Sequence, residues 1–352
     1  MLNKINWREL ENSEIEREYS PSSTIGGDYL PYINVALLVS TITFLLNPKN
    51  VVEYFILIII VLSPATLIPL YNFNFEIFIF LMFFIIGVNR IYIINWILYL
   101  YCFLLKLYPL VSGVFILIES KKRSLNFIIG LIISLIIIAS YFIFIDIKQY
   151  SSVSEYYFPI ADVLVSGGKP GYWHLFGLNT IPKILKYFEL NYIFSIAIVY
   201  SIFFYLLYKL IKSYYIKKLL DNENFFNYKW KLFLLGGNIL LISFIFYSNW
   251  IHRELFLILL IPQLLVLNYK EKKFLNFITY FLIFRYLFLF IYAPSNLDSY
   301  YIIDNKRYFN SFFLISMSFK GILDFILMSF IGSIIIKMNF SIIKKFLISF
   351  RS

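Results

Sequence analysis

The stretch FIIGLIISLIIIASYFIFI (residues 127–145) contains no charged residue. It is long enough to cross the ~30 Å hydrocarbon core of a bilayer as one helix. Its apolar residues do not alternate with polar ones, as they would in the strands of a membrane β-barrel. Of the 352 residues, 61% are hydrophobic and 14% are charged, whereas about 25% are charged in soluble domains. The sequence therefore predicts an all-α fold, a polytopic transmembrane helical bundle.

Apolar segments recur along the chain and predict about 10–11 helices. They cover residues 30–47, 51–70, 75–88, 91–118, 125–145, 191–211, 230–248, 253–268, 274–292 and 311–336. Residues 30–352 are thus predicted to form a single transmembrane domain. A polar, acidic segment (1–29) precedes it and lacks the basic start and apolar core of a cleavable signal peptide.

Lysine and arginine cluster in alternate connections between these segments, and short basic loops stay on the cytoplasmic side of a membrane. The basic residues are Lys121, Lys122, Arg123, Lys209, Lys212, Lys217, Lys218, Lys270, Lys272, Lys273 and, in the tail, Lys337, Lys344 and Lys345. One orientation satisfies all the clusters, with a cytoplasmic C-terminus and with 146–190, 249–252 and 293–310 outside. Anchoring to anionic headgroups then explains the net charge of +11, and no nucleic-acid partner is expected.

The segment 91–118 is unusually long and carries Lys106 near its middle. One continuous helix would place this lysine in lipid, at a cost of roughly 2.5–3.5 kcal/mol on insertion scales. The alternative, which we favour, is two short helices that meet at KLYP. Lys106 and Tyr108 then lie at the outer surface, and Pro109 opens the second helix.

Both histidines of the chain, His174 and His252, lie in regions expected to face outward. His252 begins a charged triplet with Arg253 and Glu254, directly before an apolar run. An interfacial anchor needs one charge and not three, so the triplet favours phosphate or sugar binding; the alternative is a set of snorkelling residues at a helix end. Two separated histidines and the single Cys102 give no metal-site spacing, and we expect neither a metal nor a cofactor.

Three sequence elements, taken in order, resemble polyprenol-phosphate-mannose-dependent mannosyltransferases, which are multi-spanning enzymes of the GT-C class. The first is LLKLYPLVSGVFILIESKKRSLNFIIG (104–130), similar to their Lys–Pro helix and basic turn. The second is GYWHLFGLNTIPKILKYF (171–188), in the place of an outward loop followed by an amphipathic helix. The third is SNWIHRELFLILLIPQLL (248–265), similar to a Trp-x-His element that enters an apolar helix with a proline.

The resemblance implies a GT-C-like bundle whose large outward loop contains an interfacial helix. It also implies transfer of a sugar, expected to be mannose, from a polyprenol-phosphate donor to a lipid-linked or cell-envelope glycan, with inversion. Such an enzyme would be a multi-pass protein of the plasma (inner) membrane, with membrane lipids, donor and glycan acceptor as its partners.

This chemistry needs a carboxylate to take the acceptor proton and polar or cationic groups to hold the sugar and its phosphate. The family places its base in an outward loop after a first transmembrane helix, and Asp28 is the nearest equivalent here. The candidate catalytic carboxylates are Asp28, Asp146, Glu155 and Asp162. The candidate substrate-binding residues are Lys106, Tyr108, Trp173, His174, Asn179, Trp250, His252, Arg253 and Glu254.

Two other functions are typical of proteins with this many helices. A polysaccharide polymerase of the O-antigen or capsule type would be expected to carry arginines in its large outer loop, and residues 146–190 contain none. A transporter or flippase would be expected to show paired repeats with helices broken at the midplane, and no repeat is visible. Both observations favour the transferase.

Arg285 lies near the centre of the apolar segment 274–292. An ionisable residue inside a bilayer is by default a sign of function. The alternative is a structural pair with Asp324, across two helices.

Overall fold

A computed structural model describes residues 30–49, 51–71, 76–105, 108–113, 175–220, 227–246, 249–270, 274–292, 300–303, 306–309 and 311–349. This part of the chain is nearly all helical, which confirms the predicted class. The predicted helix 125–145 and most of the large loop 146–190 lie outside the described residues.

The α-helices of the described part are α1 (Leu30–Leu46), α2 (Val51–Leu62), α3 (Pro64–Tyr71), α4 (Glu76–Val88), α5 (Tyr92–Leu105), α6 (Thr180–Tyr187), α7 (Tyr192–Lys212), α8 (Tyr214–Leu220), α9 (Tyr228–Phe246), α10 (Ile261–Lys270), α11 (Phe274–Tyr292) and α12 (Ser311–Ser349). The same described residues include 3-10 helices at Tyr108–Gly113 and Ile251–Leu260. The short strands are β1 (Leu175–Phe176), β2 (Asn249–Trp250), β3 (Tyr300–Ile303) and β4 (Lys306–Phe309). β1 pairs with β2 and β3 with β4, both antiparallel.

Within the described ranges, three helices are long and apolar enough to cross a membrane: α7, α9 and the Leu314–Lys344 part of α12. Of the apolar windows in these helices, 78% is buried in α9 and 72% in α12, against 22% in α7. α9 and α12 therefore form the centre of the bundle, and α7 lies at its edge with most of its surface turned outward. By the length and composition of these helices, the chain is a membrane protein.

A glycine pair in the middle of α9 lets two other elements approach its backbone. A Cβ atom at Gly236 would lie 2.7 Å from the carbonyl oxygen of Phe256, and one at Gly237 would lie 2.5 Å from Cδ1 of Ile335. Small residues permit such close approach between the helices of membrane proteins. The 3-10 helix 251–260 and α12 therefore both pack directly on the centre of α9.

The predicted helix 51–70 is two helices, α2 and α3, with Ser63 between them. Pro64 begins α3, and a proline cannot donate the backbone hydrogen bond that would continue α2. The hydroxyls of Ser63 and Thr66 donate to the carbonyl oxygen of Ile60 at 2.8 and 2.7 Å, so they satisfy the end of α2. Hydrophobicity alone predicts the segment but not this break.

The predicted break at KLYP lies partly outside the described residues. α5 is described to Leu105, and residues Tyr108–Gly113 form a 3-10 helix with Pro109 in its first turn, so a single α-helix does not run through 108–113. The hydroxyl of Ser112 donates to the carbonyl oxygen of Leu235 at 2.8 Å, which holds the short helix against α9. Lys106 itself lies outside the described residues, so its place at the outer surface stays a prediction.

The prediction of one apolar helix over 253–268 is wrong in its first half. Residues Ile251–Leu260 form a 3-10 helix, and α10 begins at Ile261. Pro262 lies in the first turn of α10, where its missing N–H breaks no helical hydrogen bond. A 3-10 helix of ten residues is unusual, because such runs seldom exceed about four residues.

The last predicted segment, 311–336, is too short. α12 ends at Ser349, so Lys337, Lys344 and Lys345 lie within a helix and not in a tail. At ~1.5 Å per residue, α12 is roughly 58 Å long, about twice the hydrocarbon thickness. Part of α12 therefore extends beyond the apolar core of a bilayer.

Candidate functional site

The strand pair β1–β2 joins the two segments that carry the histidines. Leu175 lies opposite Trp250 in this pair. β1 begins directly after His174, and β2 ends two residues before His252. The segments that carry the two histidines are therefore adjacent in the fold. His174 lies outside the described residues, and only the backbone of His252 is described.

Helix α6 follows β1 and has the amphipathic character that the resemblance implies. Ile184 is buried, whereas Lys186 is exposed. The helix packs against α12 at Gly321, where an added Cβ would lie 3.4 Å from Cγ1 of Ile181 and 3.7 Å from Cγ2 of Thr180. The absence of a side chain at Gly321 brings the start of α6 close to the backbone of α12.

The charged triplet after β2 divides between two surroundings. Arg253 keeps 20% of its side chain exposed, and its Nη1 donates to the hydroxyl of Ser243 at 3.1 Å. Its Nε lies 3.8 Å from Oε1 of the buried Glu76. Glu254 is fully buried and turns to different partners. The two neighbouring charges thus serve separate interactions.

Glu254 belongs to a buried group of four ionisable side chains, called here the ionic cluster: Glu254, Arg285, Lys320 and Asp324. Arg285 Nη2 lies 2.6 Å from Oε2 of Glu254 and 2.6 Å from Oδ1 of Asp324. Lys320 Nζ lies 2.9 Å from Oε1 of Glu254 and 2.7 Å from Oδ2 of Asp324. Each acid therefore contacts both bases, and the formal charges of the cluster sum to zero.

Burial makes this balance necessary. No side chain of the ionic cluster is more than 3% exposed. Removing one partner of a buried ion pair costs about 3–5 kcal/mol, because it leaves an uncompensated charge. Arg285 and Lys320 lie roughly 10–14 Å along their helices from Tyr292 and Ser311, the ends that the connection 293–310 joins. The cluster is therefore well inside the bundle, towards that side.

Lys320 links the ionic cluster to the paired strands. Its Nζ lies 5.8 Å from the ring centre of Phe176, a residue of β1. Two buried oxygens lie shortly after β1, at the start of α6: Oδ1 of Asn179 and Oγ1 of Thr180. Neither has a hydrogen-bond partner in the described part of the chain. Such atoms are candidates for contact with a ligand or with water. We call the region formed by β1, β2, the start of α6 and the ionic cluster the candidate site.

The other predicted site residues are only partly described. Tyr108, Trp250 and His252 have a described backbone, in a 3-10 helix, in β2 and in a second 3-10 helix respectively. The remaining ones lie outside the described residues: Asp28, Lys106, Asp146, Glu155, Asp162, Trp173 and His174. Of the predicted residues, Asn179 and Glu254 have side chains at the candidate site, and Arg253 lies three residues after the end of β2.

Sequence reasoning missed Lys320 and Glu76. The alternative that it gave for Arg285, a pair with Asp324, is confirmed: Nε of Arg285 donates to Oδ1 of Asp324 at 2.6 Å. Lys320 could have been found by its spacing, since it lies four residues before Asp324 inside an apolar segment. Side chains at that spacing share one face of a helix, and opposite charges there attract each other.

Among the described residues, no group of three or more His, Cys, Asp and Glu side chains is arranged to hold a metal ion. The carboxylates of the ionic cluster each contact two cationic side chains, whose charge opposes the binding of a metal cation at the same oxygens. The chemistry of the candidate site is therefore that of cations and hydrogen-bonding oxygens, which suits an anionic or hydroxyl-rich ligand.

No protein-family model matches the chain, and no curated protein or solved structure matches it either. The GT-C resemblance therefore rests on the three quoted sequence elements, and the activity that it implies is a matter of proposal.

Proposed function

We propose that the chain is an integral membrane glycosyltransferase. It transfers a sugar, expected to be mannose, from a polyprenol-phosphate donor to a lipid-linked or cell-envelope glycan. The observation that carries this proposal is the pairing of β1 with β2. It puts two of the three elements that resemble GT-C enzymes, 171–188 and 248–265, side by side. Segments that build one active site must meet in the fold, and these two meet although more than sixty residues separate β1 from β2.

The groups around β1 and β2 suit the expected substrates. Arg253 is partly exposed beside β2, and a guanidinium can bind a phosphate through two parallel hydrogen bonds. Asn179 offers a buried amide oxygen to a sugar hydroxyl. Trp250 lies in β2, and His252 lies two residues after it. A sugar ring can stack on the apolar face of an aromatic ring. The base is proposed to be one of the four carboxylates named from the sequence.

The orientation of α7 supports an outward-facing site. Its N-terminal end follows α6 and the candidate site, whereas its C-terminal end carries Lys209 and Lys212. Basic residues at the ends of spans favour the cytoplasmic side. The candidate site then lies at the outer face of the plasma membrane, where lipid-linked sugars meet their glycan acceptors, and the C-terminus lies in the cytoplasm.

The test is sugar transfer in membranes that contain the protein and radiolabelled polyprenol-phosphate mannose. We expect His252→Ala to abolish transfer, with a loss of at least about 100-fold if the side chain contacts the reacting groups. Lys209→Ala is the matched control, since Lys209 is exposed and lies at the opposite end of α7, and it should leave transfer unchanged. Wild-type membranes that transfer no sugar from any polyprenol monophosphate in a panel of donors would rule the proposal out.

A transporter is the second candidate, and one observation favours it. The ionic cluster combines buried charges with a non-α segment, the 3-10 helix 251–260, inside the bundle. Interrupted helices and paired intramembrane charges are features of ion-coupled transporters. An assay in proteoliposomes distinguishes the two functions. If an imposed proton gradient drives the flux of a labelled sugar or lipid-linked sugar, and no new glycosidic bond forms, the transporter is favoured.

A further inference from the structure

The two carboxylates of the ionic cluster are not held in the same way. Oδ1 of Asp324 accepts a hydrogen bond from Nε of Arg285 at 2.6 Å, and Oδ2 accepts one from Nζ of Lys320 at 2.7 Å. The oxygens of Glu254 lie at ion-pair distances from the same two bases, but neither is in hydrogen-bonding geometry. Directed, charge-assisted hydrogen bonds are the stronger contacts. Asp324 is therefore the acid held by aligned hydrogen bonds, whereas Glu254 is held by ion pairs to the same two bases.

Arg285 also has a donor to spare. Its Nη1 is buried and has no hydrogen-bond partner in the described part of the chain. A guanidinium carries five N–H donors in a fixed plane, and a buried donor without an acceptor is unfavourable. Nε and Nη2 of Arg285 already contact carboxylate oxygens. An anion with more oxygens than a carboxylate could contact these two nitrogens and also accept a hydrogen bond from Nη1. Phosphate has such a set of oxygens.

The backbone that carries Glu254 differs from the backbone that carries the other three residues. Arg285, Lys320 and Asp324 lie within the long helices α11 and α12. Glu254 lies in the first turn of the ten-residue 3-10 helix, directly after the two-residue strand β2. A 3-10 stretch in the middle of a helix often marks a hinge or strain, and this one leads from β2 into α10. A rotation of this segment would withdraw Glu254 and leave the other three in place.

We propose that Arg285 and Lys320 form a binding site for a phosphate ester, and that Glu254 is an internal anion that occupies this site when no ligand is bound. Without Glu254, Arg285, Lys320 and Asp324 carry a net charge of +1, which a phosphodiester or a singly ionised phosphate balances. The number of buried charges then stays the same, and the withdrawn carboxylate gains water. The choice of phosphate rests on the proposed function, in which the donor is a lipid phosphate.

The experiment measures the thermal unfolding of the full chain in a neutral detergent. Dodecyl phosphate is the lipid-like probe, inorganic phosphate is the free one, and dodecanoate is a carboxylate of the same chain length. We expect dodecyl phosphate to raise the midpoint by about 3 °C, the order expected at concentrations well above the dissociation constant. Glu254→Gln should show a larger rise, because the competing internal anion is gone. A rise with inorganic phosphate as well would show that the headgroup alone is the ligand.

Two further variants keep the test decisive. Glu254→Asp keeps the charge but shortens the reach, so its phosphate-dependent rise should exceed that of the wild type even if Glu254→Gln does not fold. The double variant Glu254→Gln with Arg285→Gln leaves Lys320 opposite Asp324, with no net charge, and it should fold and show no rise. The site is disproved if the single variants show no phosphate-dependent rise, if the double variant rises equally, or if dodecanoate matches dodecyl phosphate.

The outcome also separates this inference from the proposed function. A rise with phosphate in a protein that transfers no sugar would support the anion site and count against the glycosyltransferase. Sugar transfer by a protein that shows no phosphate-dependent rise, in the wild type and in both single variants, would support the enzyme and overturn the anion site.

Discussion

Helix α12 carries two buried polar groups that differ in kind. Near its start, Lys320 and Asp324 belong to the ionic cluster. Near its end, Asn339 donates one hydrogen bond to Oδ1 of Asn238 in α9 at 2.7 Å. Roughly 22 Å of helix separates Asp324 from Asn339. The two places show how a membrane bundle treats charged and neutral polar groups differently.

The difference lies in charge balance, since both groups contain atoms without a hydrogen-bond partner in the described part of the chain. In the ionic cluster every charge faces two opposite charges from other residues. In the amide pair, Nδ2 of Asn238 and Oδ1 of Asn339 have no hydrogen-bond partner in the described part of the chain. An unpartnered amide atom costs about 1–3 kcal/mol, whereas an unpaired buried charge costs more. Charged groups therefore require a balanced cluster, and neutral ones tolerate an incomplete pair.

The largest expected effect is the loss of one charge from the ionic cluster. Asp324→Asn leaves Arg285 and Lys320 with one acid between them, and we expect it to lower the free energy of unfolding by about 3–5 kcal/mol. Equilibrium unfolding in mixed detergent micelles measures this loss. If Asp324→Asn costs no more than substitutions at the amide pair, the contrast between the two regions is wrong.

A second substitution sharpens this result. Arg285→Gln combined with Asp324→Asn restores neutrality, since Lys320 and Glu254 remain opposite each other. We expect the double variant to recover about half or more of the stability lost by the single one, because charge imbalance rather than lost packing causes most of the damage. A double variant whose losses simply add would show that the four residues do not act as a unit.

The sequence predicted the ionic cluster only in part, for a physical reason. Arg285 and Asp324 are conspicuous because they stand alone in apolar segments, and an isolated charge in a bilayer needs a partner. Glu254 was grouped with its neighbours His252 and Arg253, since a linear pattern does not show that consecutive side chains turn to different partners. The direction of the Arg253 and Glu254 side chains depends on the conformation of the 3-10 helix that carries them. The hydrophobicity of the sequence does not reveal that conformation.

The fold shows the same limit. The apolar runs place most of the described helices within a few residues of their observed bounds, although only three of these helices are long enough to cross a membrane. The change from the α-helix that reaches Leu105 to the 3-10 helix at Tyr108 agrees with a prediction from Lys106, which makes a single continuous helix costly. The 3-10 helix 251–260 was not predictable, because hydrophobicity does not distinguish a 3-10 helix from an α-helix. It packs on α9 at Gly236, where the carbonyl oxygen of Phe256 approaches the glycine closely.

The next largest effect should come from that contact, on which the position of Glu254 depends. Gly236→Ala would place a Cβ 2.7 Å from the carbonyl oxygen of Phe256, a backbone atom that cannot rotate away. We expect a loss of about 1–3 kcal/mol in the free energy of unfolding, although alanine gains about 1 kcal/mol of helix propensity over glycine.

Gly87→Ala is the matched control for Gly236→Ala. Its added Cβ would lie closest to Cδ2 and Cγ of Leu232, which are side-chain atoms that can move with a change of rotamer. We expect a smaller loss of stability than at Gly236, measured by the same unfolding equilibrium. Equal losses at the two glycines would show that the 3-10 helix yields as readily as a leucine side chain.

The smallest expected effect belongs to the amide pair. Hydrogen bonds between membrane helices contribute about 0.6 kcal/mol on average, because side chains of the unfolded state in the membrane also find partners. A double-mutant cycle of Asn238→Leu and Asn339→Leu should therefore give a coupling energy near that value. Each single variant leaves one buried amide without any partner, and the double variant removes both. A coupling above about 2 kcal/mol would place the amide pair in the same class as the ionic cluster, and neutral polar groups would then need partners in this bundle as strictly as charges do.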